Sequence, residues 1–115
     1  MADLDPVETL IEMEAIRQLK ARYFRCLDTK DWEGFAQVWE EEIEHEMTTE
    51  GMKHSGSRDL FVKFVSGALH GAVTVHRGHN PELEITSPTT AKAIWPFVDR
   101  LKPGPEAHGR GPRSC

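Results

Sequence analysis

Apolar residues recur at helical spacing from the start of the chain. Val7, Leu10, Ile11, Ile16, Leu19, Tyr23, Cys26 and Leu27 follow the i, i+3, i+4 rhythm of a helix with one face against a core. Asp5 is suited to cap such a helix, Pro6 to open it, and Glu8 to close a capping box. Leu4 is placed to staple to a residue one turn in. The pattern predicts one amphipathic helix over residues 6–27, with Arg17, Lys20, Arg22 and Arg25 on the polar face. Basic residues toward the C-terminal end also suit the helix dipole. The run stops at Asp-Thr-Lys-Asp, where Asp31 is placed to cap a shorter helix carrying Trp32, Phe35, Val38 and Trp39.

The period then changes to two. In Glu-Ile-Glu-His-Glu-Met, Ile43, His45 and Met47 alternate with glutamates, as in a strand with one buried face. Residues 50–57 read as a loop. Ser57 is placed to cap a third helix that turns Leu60, Phe61, Phe64, Val65 and Ala68 inward and ends near Gly67 and Gly71. Three strands follow, at residues 72–78, 82–86 and 91–101. In the first, Val73 and Val75 face away from Thr74 and His76. The third is apolar on both faces and holds Pro96, which cannot donate to a ladder and predicts a bulge or an edge. This order predicts an α+β domain, a curved antiparallel sheet with three helices packed on its concave side. One strand plus three is thin cover for three helices, and the last strand calls for a neighbour.

Composition narrows the setting. The chain has 115 residues, 38% hydrophobic and 29% charged, which fits one domain over residues 1–102. Residues 103–115, rich in Gly, Pro and Arg, are expected to form a disordered tail. No apolar run approaches membrane-spanning length, and the N-terminus lacks a signal pattern. Cys26 and Cys115 form no disulfide framework, so the expected setting is the cytoplasm. Residues 1–51 carry 14 acidic and 5 basic side chains, net −9, and residues 52–115 carry net +4, giving −5 for the chain. Such an acidic chain is poorly suited to nucleic acid, whose backbone is held by Lys and Arg. The acidic run at residues 39–46 reads as a solvated face.

Candidate chemistry is sparse. His70, His76 and His79 fit no zinc spacing, and strand alternation does not bring them together. No metal or other cofactor is expected. Cys26 falls inside the first helix and should be inert, and no glycine-rich phosphate loop occurs. On their own, Asp28 reads as a helix-end turn residue, of the Asx type with Lys30 or Asp31, and His76 as a half-exposed strand residue. Tyr23 reads as amphipathic core, and Trp32, Trp39, Phe64 and Trp95 as core or pocket wall.

Two stretches carry more. The helix end at Tyr23, Asp28, Lys30, Asp31 and Trp32, together with the run Val-Thr-Val-His-Arg-Gly-His-Asn-Pro-Glu-Leu-Glu-Ile at residues 73–85 and its continuation to Trp95, resembles the SnoaL-like family. This belongs to the nuclear transport factor 2-like superfamily, and the likeness is to its scytalone dehydratase-like and polyketide cyclase-like branch. It extends over roughly residues 8–101. It implies a cone-like α+β fold and, since members continue with two more strands, a C-terminally truncated sheet. That sheet would be completed by a partner chain, left open, or poorly folded.

The resemblance also implies a site. Asp28 matches an acid that orients a strand histidine, and His76 matches that histidine, with Tyr23 offered as an orienting donor. A carboxylate on one imidazole nitrogen fixes the tautomer and raises the basicity of the other. The implied function is a cofactor-independent lyase or isomerase, dehydratase-like, abstracting a proton from a small apolar cyclic carbonyl compound. The chain departs from the dehydratase pattern at Leu27, where a Tyr is expected, and shows no counterpart to a second histidine; Arg77 adds a charge beside His76. The alternative is a non-catalytic small-molecule-binding or dimerising domain, inactive through truncation. Expected partners are a small apolar ligand and a second copy of the chain, with no nucleic acid and no membrane. His79 is assigned to the turn.

Overall fold

The computed structural model describes residues 4–47 and 52–102. The predicted tail, with His108 and Cys115, lies outside the described residues. Helix α1 (Pro6–Thr29) starts at Asp5, whose carboxylate accepts from the Glu8 backbone while the Glu8 side chain accepts from the Asp5 backbone. It ends where Lys30 turns left-handed (φ 60°), and Asp31 N–H closes back onto the Cys26 carbonyl. Asp31 caps α2 (Trp32–Ala36) by accepting from Gly34 N–H at 2.9 Å. Ser57 caps α3 (Arg58–Ala68).

Six strands occur among the described residues: β1 (Glu42–Met47), β2 (Met52–Ser57), β3 (Val73–Gly78), β4 (Glu82–Ser87), β5 (Thr90–Ile94) and β6 (Phe97–Lys102). They pair antiparallel as β1–β2, β3–β6 and β4–β5. The result is the expected α+β architecture of three helices and antiparallel strands, with the strands in three two-stranded sheets that are not closed.

Two strand expectations needed correction. The predicted loop at residues 50–57 contains β2. Its sequence has no apolar alternation, but its partner supplies what periodicity lacks: Glu46 faces Lys53 and His45 faces His54 across the ladder, and opposed charges on paired strands stabilise such a ribbon. The predicted single strand at 91–101 is two strands on different partners. Pro96 and Trp95 fall between them, and the Pro96 carbonyl accepts from His79 N–H at 2.9 Å. A residue that cannot donate is thus placed where no ladder needs a donor.

The core is aromatic and compact. Phe35, Phe61, Cys26 and Leu27 are buried, with Tyr23, Trp32, Trp39, Ile43, Val62, Val65 and Leu69 packed around them. The helix faces are narrower than predicted. Val7, Leu10 and Ile11 are 60–65% exposed, while the buried residues of α1, Phe24, Cys26 and Leu27, lie in its last two turns. In α3, Phe61, Val65 and Leu69 turn inward, while Leu60 and Phe64 lie one row aside, 63% and 51% exposed. No described helix is long and apolar enough to cross a membrane.

Candidate active site

The end of α1 and the start of β3 meet through one carboxylate. Asp28 Oδ2 accepts from the His76 backbone N–H at 2.9 Å, and Asp28 Oδ1 accepts from the Thr74 hydroxyl at 3.0 Å. The His76 Nδ1 lies 2.6 Å from Asp28 Oδ1. Burial pushes the Asp28 carboxyl up, but the hydrogen bonds from the His76 backbone, the His76 ring and Thr74 outweigh it and hold it below the usual carboxylate range. An ionised carboxylate only accepts, so Nδ1 carries a hydrogen, and in a neutral ring Nε2 is then bare. Asp28 is therefore not a local turn residue; its side chain crosses to another element.

β alternation explains why two strand residues reach it. Thr74 and His76 share the face turned toward α1, and Thr74 is the one buried polar residue among those described, 5% exposed. Lys30 Nζ donates to the Thr74 hydroxyl at 3.3 Å and to the Leu27 carbonyl at 3.4 Å. The His76 ring stacks on Phe24, centroids 5.6 Å apart. Gly78, two residues on and on the same face, leaves room for that ring: a Cβ there would lie 2.8 Å from Phe24 Cε2.

Tyr23 lies one turn back on α1, its ring 5.3 Å from Phe24, 5.6 Å from Phe35 and 5.8 Å from Trp39. Burial pushes its phenol pKa up, so it stays a hydrogen-bond donor at neutral pH. Tyr23 makes no direct hydrogen bond to Asp28 or His76. It joins them only through the shared neighbour Phe24. His79 contributes only its backbone to the turn, by the bond to Pro96.

A SnoaL-like domain model matches residues 8–112. The chain belongs to the SnoaL-like family. Among solved structures, a protein named as a scytalone dehydratase from Novosphingobium aromaticivorans is similar, with TM-score 0.73 and 24% identity over 82% of this chain. This SnoaL-like chain spans 62% of that protein's length. Aln2 from a Streptomyces species is similar at TM-score 0.60 and 20% identity, over 86% of this chain and 69% of Aln2. At these identities the likeness is one of fold.

This SnoaL-like domain also holds polar residues that the sequence did not single out. Asp99 on β6 pairs across the ladder with His76, and its Oδ2 lies 3.8 Å from His76 Nε2. That is too long for a hydrogen bond. Only the β3–β6 register reveals it. His45 and His54 face each other on β1–β2 and border Phe61, at centroid distances of 4.8 and 5.4 Å. Burial, then His54 and Lys20, hold His45 below the usual histidine range. Lys20 was expected on the polar face of α1; it lies instead on the inward stripe with Ile16, Tyr23 and Leu27, its ammonium 4.2 Å from the Tyr23 ring centroid.

Proposed function

We propose that this SnoaL-like domain abstracts a proton alpha to the carbonyl of a small apolar cyclic compound, without a cofactor, as a dehydratase- or isomerase-type lyase. His76 is the base, Asp28 holds its tautomer and charge, and Tyr23 is an orienting donor. The observation that carries this reading is the Asp28 carboxylate, which gathers the His76 backbone, the His76 ring and Thr74 at once. Family membership supports it at the level of the family.

In the proposed step, His76 Nε2 takes the alpha proton and the C–H electron pair passes into the carbonyl, giving an enolate. In a dehydratase the enolate collapses and expels a beta hydroxide, which receives the proton from His76 and leaves as water. In an isomerase the proton returns at another carbon. Asp28 stays ionised throughout and balances the imidazolium.

The test is hydrogen exchange of beta-tetralone, a flat cyclic ketone, in heavy water followed by proton NMR. The intact chain is expected to accelerate exchange. His76→Gln should slow it by about a hundredfold or more. Equal exchange by both proteins would remove the reading.

One observation favours a second role. Val73, Val75 and Val98 lie exposed on the outer face of the β3–β6 ladder, and apolar sheet faces of this kind suit a second copy of the chain. Ligand binding or dimerisation without catalysis is the alternative function.

A further inference from the structure

Lys20 occupies a place where a lysine is costly. It follows Ile16 by one turn and precedes Tyr23 and Leu27 on the stripe of α1 that turns inward. Its ammonium stands 4.2 Å from the Tyr23 centroid, 4.9 Å from Phe24 and 5.8 Å from Trp95. Such ring faces attract a cation but do not neutralise it. Among the described residues no carboxylate lies within ion-pair distance of Lys20. Burial pulls its pKa below the usual lysine range. The titratable groups facing this region are Tyr23 on the same helix and His45 from β1, and the Lys20 charge in turn disfavours a charge on His45.

A second observation points the same way. The indole Nε1 of Trp39 is buried with no hydrogen-bond acceptor among the described residues. Trp39 packs edge-on against Tyr23 at 5.8 Å and against His45 at 6.0 Å. The Tyr23 ring is thus bordered by an ammonium with no described carboxylate partner, it packs against the Trp39 indole whose N–H is unpaired among the described residues, and Tyr23 itself is held protonated. These are donors and positive charge with no described acceptor for them. Buried donors and charges without partners destabilise a fold, and an incoming negative oxygen would offset the Lys20 charge.

We propose that Lys20 is the anion-holding residue of this site, offsetting the negative charge that a ring ketone's oxygen gains during reaction. The inference rests on proton abstraction by His76. When the C–H electron pair moves into the carbonyl, the oxygen gains the charge; Lys20 offsets it by electrostatics and keeps its own proton. Phe24 borders both ends of this arrangement, since the His76 ring stacks on it and the Lys20 ammonium stands over it. Tyr23, Phe24 and Trp95 supply ring surfaces that favour a planar ligand.

The probe is para-nitrophenol, a flat phenol whose absorbance reports its ionisation. Bound to the intact chain, it should ionise about one pH unit below its free value, a tenfold preference for the phenolate. Lys20→Arg should keep most of that preference. Lys20→Met keeps the aliphatic stem and should lose it, while unfolding at an equal or higher temperature because a half-buried charge is gone. In beta-tetralone exchange, Lys20→Met should lower kcat by about tenfold or more with little change in KM, since the neutral ketone carries no charge for Lys20 to hold. The same ionisation of bound probe in the intact chain and in Lys20→Met would overturn the proposal. The two readings fail separately. Probe ionisation that depends on Lys20, with no ketone exchange by the intact chain, sinks only the abstraction reading. Exchange that needs His76 but is untouched by Lys20→Met sinks only the role given to Lys20.

Discussion

Asp28 shows how one side chain can settle the chemistry of another. Its three contacts from β3 lower its pKa, and the sign of that shift predicts acid behaviour. A depressed native pKa contributes stability at pH values above the ordinary carboxylate value of roughly 4, and that contribution is lost as pH falls through the depressed native value. Asp28→Asn should therefore flatten this part of the acid unfolding profile, as measured by thermal unfolding across acidic pH. Thr74→Val removes the hydroxyl that donates to Asp28 and leaves Lys30 without one of its acceptors. It should cost about 1–3 kcal/mol in urea unfolding, with Thr74→Ser restoring most of the loss. Asp99 completes the setting at this scale: its carboxylate stands 3.8 Å from His76 Nε2.

At the scale of elements, the helix ends were written plainly in the chain. Asp5, Pro6, Glu8, Asp31 and Ser57 are local signals acting within a few residues, and all three helices begin where those residues place them. The α1–β3 meeting was legible only through family resemblance, because no local pattern links Asp28 to a strand 48 residues away. β2 was hidden because its stability comes from pairing with β1, and its own sequence is polar. The division between β5 and β6 was half visible: Pro96 announced an interruption, but not that the flanking segments take different partners. Lys20 lies inward despite its charge because its position continues the i, i+3, i+4 stripe of α1. Close packing between α1 and β3 leads to a test of its own. Gly78→Ala should push Phe24 off its contact with His76 and cost about 1–3 kcal/mol, read by denaturant unfolding. An unchanged midpoint would mean that α1 and β3 pack less tightly than the Phe24–Gly78 contact implies.

For the whole molecule, the distribution of apolar surface matters most. The core is centred on Phe35, 1% exposed, and Phe61, so Phe35→Ala should cost about 3–5 kcal/mol. Elsewhere apolar side chains stay at the surface. The outer face of β3–β6 sets Val73, Val75 and Val98 beside Arg77, Arg100 and Lys102, while residues 1–51 carry net −9. If a second copy covers this face, sedimentation should show concentration-dependent association that weakens in a Val75→Lys, Val98→Lys double variant. The proposed catalysis, however, turns on how α1 is docked against β3, since that docking decides which imidazole nitrogen is free. Nitrogen NMR of His76 reads this directly. The intact chain at neutral pH should show a protonated Nδ1 and a bare Nε2, and Asp28→Asn should disturb that preference. A neutral ring protonated at Nε2 in the intact chain would contradict the assignment of His76 as the base.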